Sequence, residues 1–246
     1  MRLLLLLITV LFILSCKESS KKLTAQDIID NAIDVHCNDN CEDAFISFTF
    51  RDKEYKSIRK AGKYQYERIF SDSIGIIKDV ITNEGYRRYI NDSVIKVVDS
   101  MATKYANSVN SVHYFSQLPY GLNAPAVKKE LLGEATIKGK EYYEIGITFT
   151  EEGGGTDFED EFVYWIEKED FSLDYLAYSY TVNGGGIRFR EAFNKRVVNG
   201  ITFLDYNNYK PESLDIKLTT LDSLFENEEL VLLSKIENEQ IEVSIN

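Results

Sequence analysis

The 246-residue chain has little histidine, cysteine, methionine or tryptophan: 2, 3, 2 and 1 residues, respectively. Two histidines leave little material for His-rich metal sites or for Ser-His catalysis. Basic side chains are also outnumbered, by 40 acidic to 28 basic, which gives a net charge of −12. That charge disfavours binding to nucleic-acid phosphates and adsorption on anionic lipid head groups. The sequence therefore predicts no nucleic-acid partner, and it shows no cofactor motif.

Aromatic residues are abundant, with 16 Tyr, 14 Phe and 1 Trp, and the apolar fraction of 44 % is typical of a folded globular protein. Proline occurs only at positions 119, 125 and 211, between the segments that alternate apolar and polar residues, so it interrupts no candidate strand. We find neither a linker nor a fixed-period repeat, and one domain is the prediction for residues 23–246.

The N-terminal segment has the pattern of a lipoprotein signal. Arg2 precedes an apolar run over residues 3–14, which is typical of a signal peptide and short for a bilayer span. The sequence Ile-Leu-Ser-Cys that ends at Cys16 resembles a bacterial lipobox. We therefore predict a signal peptide over residues 1–15, a lipidated Cys16, and a short tether over residues 16–22. Palmitate-type acyl chains on Cys16 would anchor the protein; an uncleaved membrane anchor is the alternative.

The resemblance to bacterial lipoproteins implies that Lys17, rather than Asp, after the cysteine favours the outer membrane over the inner one; it does not decide the leaflet. The two remaining cysteines, Cys37 and Cys41, flank a polar run. In an oxidising envelope compartment they predict a short-range disulfide. Metal binding together with His36 is the alternative, but a structural zinc site needs four ligands.

Helix signals precede the strands. Thr24 and Asp27 form a capping-box pattern before an apolar face that includes Ile28 and Ile29, and residues 38–40 end the helix. Afterwards the hydrophobic period is 2 for most of the chain, which predicts about a dozen strands. Further helices are predicted over residues 100–117 and 219–226.

The predicted fold is therefore mainly β with a few helices. Sequential strands can form a closed barrel, a sandwich or one large sheet curled around a helix. We expect the last of these: a large curled antiparallel sheet, an open half-barrel, with the N-terminal helix and the inserted helix packed on it.

Three segments carry a family resemblance: residues 111–115 (SVHYF), 118–123 (LPYGLN) and 184–191 (GGGIRFRE). They resemble a family of uncharacterised Gram-negative envelope lipoproteins, a domain of unknown function, and the resemblance covers nearly all of the mature chain. In architecture the chain resembles the open half-barrels of outer-membrane lipoprotein carriers and receptors. The resemblance implies that fold and an envelope address, and it brings no activity with it.

One hairpin suggests a buried carboxylate. A four-residue loop over residues 183–186 would pair Val182 with Ile187 and set Glu191 against Tyr178, on an aromatic face. Burial there would raise the pKa of Glu191 unless a cation or hydrogen bonds compensate. Glu191 is then either an acid, base or ligand-orienting group, or a structural carboxylate held by tyrosine hydroxyls or an arginine.

Basic residues on the same hairpin point to the opposite face. Arg188 and Arg190 would lie there, and a two-residue turn at residues 199–200 would pair Asp205 with Asn194, diagonal to Arg196. A cross-strand charge ladder is one interpretation. The other is a clamp for an anionic ligand, because guanidinium groups suit carboxylates and phosphates.

The inserted helix supplies the remaining candidates. His113 lies at the edge of its apolar face, as a packing histidine, a ligand contact or a catalytic group, and Tyr114 and Tyr120 are expected near the end of a cavity. The complete set of predicted ligand-binding residues is His113, Tyr114, Tyr120, Tyr164, Tyr178, Tyr180, Arg188, Arg190, Glu191 and Tyr206.

The acidic, glycine-rich loop over residues 151–161 suggests a cation site. Asp157, Glu159 and Asp160 could supply oxygen ligands to Ca²⁺. The spacing does not match an EF-hand, and a solvated acidic loop is the alternative. No phosphate-binding Gly-Lys-Ser/Thr motif is present.

Three functions follow. The first is a membrane-anchored, non-enzymatic envelope lipoprotein that binds a lipid, an acyl chain or another apolar or amphipathic ligand. The second is a structural or interaction lipoprotein with an envelope protein partner in an outer-membrane complex. The third is an envelope hydrolase or lyase that uses Glu191 or His113, which the sequence favours least because it supplies isolated groups rather than a constellation.

Overall fold

The structure, a computed structural model, describes residues 22–155 and 158–245. Three α-helices lie within these residues: α1 (Ala25–Cys37), α2 (Asp99–Ser116) and α3 (Leu221–Glu226). The strands are β1 (Ala44–Phe50), β2 (Lys53–Lys60), β3 (Lys63–Asp72), β4 (Gly75–Thr82), β5 (Gly85–Ile90), β6 (Ser93–Ile95), β7 (Val127–Ile137), β8 (Lys140–Phe149), β9 (Glu161–Glu167), β10 (Leu173–Tyr180), β11 (Gly186–Val198), β12 (Ile201–Lys210), β13 (Val231–Ile236) and β14 (Asn238–Ile245). Short 3₁₀ turns occur at Val182–Gly184 and Leu218–Thr220.

The strands form two antiparallel sheets of seven strands each. Sheet A has the order β14-β1-β2-β3-β4-β5-β6, and sheet B has the order β13-β12-β11-β10-β9-β8-β7. Only residue 237 separates β13 from β14, so one extended segment pairs with both sheets and links them. The predicted mainly β, open, half-barrel-like fold is confirmed, and the structure divides its strands between two sheets.

Helix α1 forms where the capping signal predicts it. The Thr24 side chain accepts a hydrogen bond from the Asp27 backbone, the Asp27 side chain accepts one from the Thr24 backbone, and Asn38 ends the helix in the left-handed region. Ile28, Ile29 and Ala32 are fully buried. They pack against one face of sheet B, which we name the inner face.

Helix α2 also matches its predicted position and packs on sheet A through polar groups. Asp79 is fully buried and accepts hydrogen bonds from Arg68 at 2.7 Å and Arg88 at 2.7 Å. Arg68 in turn donates to Ser108 on α2 at 2.7 Å, and the Arg88 guanidinium lies 3.6 Å from the centre of the Tyr105 ring.

None of the helices within the described residues is long and apolar enough to cross a bilayer.

Sheet B has two covered faces. Its inner face carries the cluster that α1 and α2 complete, including Tyr164, Leu176 and Tyr206. Its outer face carries a second cluster, with Trp165 and Phe189, which the α3 segment covers. Alternating residues of the same strands supply both clusters, as a sheet buried on two sides requires.

The predicted register between β10 and β11 is wrong. Val182 belongs to a 3₁₀ turn, and Tyr180 instead pairs with Gly186, which sets Glu191 opposite Tyr175. The partner of Glu191 therefore differs by an odd number of residues from the predicted one. Such a shift separates Glu191 from Tyr178. Glu191 shares the outer face with Tyr175 and Phe189, whereas Tyr178 lies on the inner face.

The predicted register between β11 and β12 is also wrong, although the expected contact between Asp205 and Arg196 is present. The register shifts between Phe193 and Arg196, so Asp205 pairs with Phe193 rather than with Asn194. Asn194 adopts a left-handed conformation with φ 51°, as in a β-bulge. The bulge places Asp205 on the opposite face from Arg190, although Asn194 and Arg196 still donate to its carboxylate, at 2.7 and 3.0 Å.

Asp205 helps to join the two sheets. The Asn238 backbone N–H, at the start of β14, donates to the same carboxylate at 2.9 Å, and Arg196 donates to the Asn238 carbonyl oxygen at 2.5 Å. Asp205 is 1 % exposed. A buried, multiply hydrogen-bonded carboxylate therefore lies where β11, β12 and β14 meet.

Candidate functional site

A cavity of about 670 Å³ lies between α2 and the inner face of sheet B. Its wall combines α2 residues with side chains from β9 to β13, the β8–β9 loop and the end of sheet A. The main lining residues are Phe50, Arg51, Lys104, Asn107, Ser108, Ser111, Tyr114, Phe115, Phe149, Asp160, Phe162, Tyr178, Tyr180, Arg190, Tyr206, Asn208, Ser234 and Ile236. Its volume lies within the ordinary range of small-molecule sites, about 300–1,000 Å³.

Half of the predicted ligand-binding residues line this cavity, and half do not. Tyr114, Tyr178, Tyr180, Arg190 and Tyr206 form part of its wall. His113, Tyr120, Tyr164, Arg188 and Glu191 lie outside it.

Aromatic rings make the apolar part of the wall. Phe115 from α2 lies 5.1 Å from Tyr178 between ring centres, and Phe162 from β9 lies 5.5 Å from Tyr178. Tyr114 shares a hydrogen bond of 2.6 Å with Tyr164, which is buried behind the wall. Burial raises the pKa of Tyr114, so the hydroxyl stays neutral. The wall can therefore enclose apolar groups and offer neutral hydroxyls.

Arg190 is the basic group buried in this wall. Its side chain is 6 % exposed, and the guanidinium carbon lies 3.8 Å from the centre of the Phe115 ring. One nitrogen, Nη2, donates to the Tyr178 hydroxyl at 2.9 Å. Nε and Nη1 are buried and have no hydrogen-bond partner among the described residues. Buried polar groups are ordinarily paired, so these two donors are the most unusual feature of the site.

Arg188 shares a face with Arg190 but has a different environment. It donates to the Ile187 carbonyl oxygen at 2.9 Å and to the Tyr180 hydroxyl at 2.6 Å. Its guanidinium also lies 5.3 Å from the centre of the Tyr180 ring. Arg188 is therefore held by protein groups beside the cavity.

Glu191 lies on the outer face in a satisfied polar cluster. Lys138 donates to its carboxylate at 2.5 Å, Asn207 at 3.0 Å and Tyr209 at 3.2 Å. Burial opposes ionisation, but the hydrogen bonds from Lys138 and Asn207 outweigh it and place the pKa of Glu191 below its ordinary value. Glu191 is therefore an ionised carboxylate outside the cavity.

His113 lies on the sheet A side of α2, in an aromatic cluster. Its Nε2 donates to the Glu67 carbonyl oxygen at 3.1 Å, its Nδ1 accepts from Gln117 at 3.2 Å, and its ring stacks on Tyr66 at 4.6 Å. Burial lowers the pKa of His113 to about 4, the bond to Glu67 opposes this shift, and the charge of Arg59 adds to it. The imidazole is therefore neutral, and both of its nitrogens are hydrogen-bonded within the protein.

Tyr120 contacts a different basic group. The Arg59 guanidinium lies 3.9 Å from the centre of its ring, and its hydroxyl donates to Glu42 at 3.5 Å. Arg59 is 2 % exposed and also donates to Gln117. This cluster supports the end of α2 and does not border the cavity.

The predicted calcium ligands are only partly described. Asp157 lies outside the described residues, Glu159 is in the following turn, and Asp160 lines the cavity. Across residues 22–155 and 158–245, no group of three or more His, Cys, Asp and Glu side chains could hold a metal ion.

The cysteines have separate positions. Cys37, at the end of α1, and Cys41 form a disulfide and are buried against β1. The predicted lipidation site, Cys16, lies outside the described residues.

A larger groove, of about 1010 Å³, lies on the outer face of sheet B beside the segment before α3. Lys128, Glu130 and Lys217 are among its lining residues, and Phe162 and Tyr180 are its only described aromatic ones. The inner cavity combines more aromatic surface with a buried, incompletely paired cation. We therefore place the candidate site there.

Several wall residues are absent from the predicted ligand-binding set. Phe115 directly follows Tyr114 on the inserted helix, and Phe149 and Phe162 are in segments whose alternation already predicted strands. Their periodicity could have identified them. Asn208 and Ile236 could not have been found in this way, because only the pairing of β12 with β13 brings them to the cavity.

Comparisons with known proteins identify a family and a fold. A family profile described as "Family of unknown function (DUF6503)" matches residues 1–238. No curated protein matches the chain. A LolA superfamily protein from Nitrosomonas europaea is similar in structure, with a TM-score of 0.50 and 12 % identity, over 89 % of this chain and 93 % of that one.

Another solved structure is less similar. A putative outer membrane lipoprotein-sorting protein domain from Vibrio parahaemolyticus gives a TM-score of 0.47 at 8 % identity, over 89 % of this chain and 93 % of that one. At these identities the comparison with the Nitrosomonas protein shows the fold alone.

Proposed function

We propose a ligand-binding function for this chain, which belongs to the DUF6503 family of unknown function. The protein is an envelope lipoprotein that holds a lipid, an acyl chain or another amphipathic ligand between α2 and the inner face of sheet B. The cavity of about 670 Å³ with its aromatic wall carries this proposal. Ligand sites are typically concave and combine apolar surface with polar groups; this cavity is concave, and aromatic side chains share its wall with polar ones.

Helix α2 forms the wall of the cavity opposite sheet B, and its two sides have different roles. Helix α2 is held to sheet A by the polar network around Asp79, whereas Tyr114 and Phe115 turn toward the cavity. Helix α2 is thus fixed to sheet A along one side, while aromatic side chains on its other side face the cavity.

A substitution at the cavity wall tests the proposal. Ser111 is exposed and lines the cavity on α2, and Ser100 is exposed on the same helix away from it. We expect Ser111→Trp to reduce the amount of co-purified lipid, measured by lipid extraction and mass spectrometry of the full chain, because the indole occupies ligand space. Ser100→Trp is the matched control and should retain the lipid. Equal lipid in both variants, or none in the unmodified protein, contradicts the proposal.

The proposed location is the outer membrane, and it depends on lipidation of Cys16. We expect Cys16→Ser to abolish incorporation of labelled palmitate and to move the protein from the membrane fraction to the soluble fraction. Separation of inner and outer membranes by density then tests the location. Unchanged labelling in the variant would contradict lipidation at this residue.

One observation favours a second candidate, contact with another envelope protein. Strand β13 is the edge strand of sheet B, and Val231, Leu232 and Leu233 on it are 43–51 % exposed. An exposed apolar edge strand is suited to pairing with another chain. Site-specific crosslinking from Leu232 in intact cells tests this candidate; absence of a crosslinked product would argue against it.

A further inference from the structure

The cavity wall is electropositive within an acidic protein. The chain has a net charge of −12. Among the described residues of the wall, however, Arg51, Lys104 and Arg190 carry positive charge and only Asp160 carries negative charge. This local reversal of sign favours an anion in the cavity.

Arg190 is the most deeply buried of these cations. Arg51 and Lys104 are exposed at the rim, whereas Arg190 is 6 % exposed. Removing a guanidinium from water is costly unless its charge and its donors are matched. Within residues 22–155 and 158–245 Arg190 has no carboxylate within ion-pair distance, and Nε and Nη1 lack acceptors. The protein thus keeps an incompletely matched cation beside a ligand-sized space.

The neighbouring groups suit the polar end of an amphiphile. Tyr178 already orients the guanidinium through Nη2, and Asn208 from β12 lines the same cavity. Phe115 covers the guanidinium at 3.8 Å and the two free donors are buried, so binding of a head group to them requires the surrounding side chains to move. The remaining wall, with Phe149 and Phe162, offers apolar surface for a hydrocarbon chain.

We propose that the cavity selects an anionic amphiphile, with Arg190 binding its carboxylate or phosphate head group and the aromatic wall holding its hydrocarbon chain. This inference rests on the proposed function and specifies its ligand class. Arg190 contributes Nε and Nη1 to the head group, and charge-assisted hydrogen bonds of this kind are stronger than neutral ones. The hydroxyl of a neutral amphiphile of the same length can accept a hydrogen bond from one of these donors, but it brings no negative charge to match the guanidinium.

The test uses photoactivatable probes of one chain length with three head groups: a dodecanoate, a dodecyl phosphate and a dodecanol. The full chain in phosphatidylcholine nanodiscs is labelled with each probe, and the modified residues are mapped by mass spectrometry. Displacement by the unmodified amphiphiles gives relative affinities. We expect labelling on α2, β10 and β12 and about 10- to 100-fold tighter binding of an anionic probe than of dodecanol. The two anionic probes distinguish carboxylate from phosphate.

Two substitutions isolate the role of Arg190. Arg190→Met keeps an unbranched apolar stem and removes the charge and the donors, so it should weaken the anionic probes about 10- to 100-fold and change the binding of dodecanol far less. Lys195→Met removes a positive charge from an exposed position on the same strand, away from the cavity, and should change neither. Thermal unfolding of both variants verifies that they are folded.

The outcomes separate the two proposals. No labelling of the cavity by any probe overturns the proposed ligand-binding function and this inference with it. Cavity labelling that is equal for dodecanoate, dodecyl phosphate and dodecanol, or that is unaffected in Arg190→Met, overturns the head-group assignment and leaves the ligand-binding function standing.

Discussion

Acid should destabilise this protein through its two histidines. Both are 1 % exposed, and burial lowers the pKa of each from an ordinary 6.5 to about 4. For His36, the charge of Lys195 adds to the effect and that of Asp170 opposes it. For His113, the bond to Glu67 opposes it. In the folded state both rings are therefore neutral at a pH where the unfolded chain protonates them.

The sign and size follow from proton linkage. Above pH 6.5 neither state binds the proton, so the histidines add no pH dependence. Between about 6.5 and 4 the unfolded state takes up protons that the folded state rejects, and stability falls as pH falls. A difference of about 2.5 pKa units corresponds to about 3 kcal/mol for each histidine at the lower end.

The assay is urea unfolding at several pH values, followed by the fluorescence of Trp165, the single and fully buried tryptophan. Protonation of carboxylates such as Asp79 also destabilises the folded protein in acid. The variant His113→Gln is therefore needed for comparison. The free energy of unfolding of this variant is lower than that of the unmodified protein at pH 7. The difference between the two proteins should shrink by about 3 kcal/mol between pH 7 and 4. Parallel stability curves for the two proteins over this range would refute the reasoning.

Three further predictions concern single groups. Arg190→Met should raise the free energy of unfolding of the unliganded protein by about 1–3 kcal/mol, because it removes unpaired buried donors; a lower value in urea unfolding contradicts this. Asp79→Asn should lower the same quantity by about 3–5 kcal/mol, because it leaves Arg68 and Arg88 buried without their carboxylate; a loss below 1 kcal/mol argues against the network. Glu191→Gln should lower it by only about 1 kcal/mol, since its partner Lys138 is exposed, and should not change probe binding; lost binding would return Glu191 to the site.

Several features of the fold are decided locally and could be predicted. Thr24 and Asp27 begin α1 because the capping box is made by residues three apart. The strands show in their alternation, since a period of 2 follows from the pleat itself. The composition likewise predicted the aromatic interior, which supplies Tyr114, Tyr178 and Tyr206 to the cavity.

Other features depend on how strands pair. The five-residue connection over residues 181–185 set a register that a four-residue loop could not give, and the bulge at Asn194 changed the pairing of Asp205. Each changes the face on which a side chain lies, and no local signal specified either. Glu191 was predicted to lie against Tyr178; it lies instead against Tyr175 and Tyr209 on the outer face, outside the cavity.

The sequence by itself determined the acidic charge, the lipobox-like pattern that ends at Cys16, the capped helix and the alternating strands, because each is a property of composition or of neighbouring residues. Only the tertiary structure decided that Arg190 lies beneath Phe115 with two unmatched donors, and that His113 turns toward sheet A. Burial and hydrogen-bond partners arise from strand register and from packing between distant segments. Burial and hydrogen-bond partners together decide which of the candidate polar residues can contact a ligand.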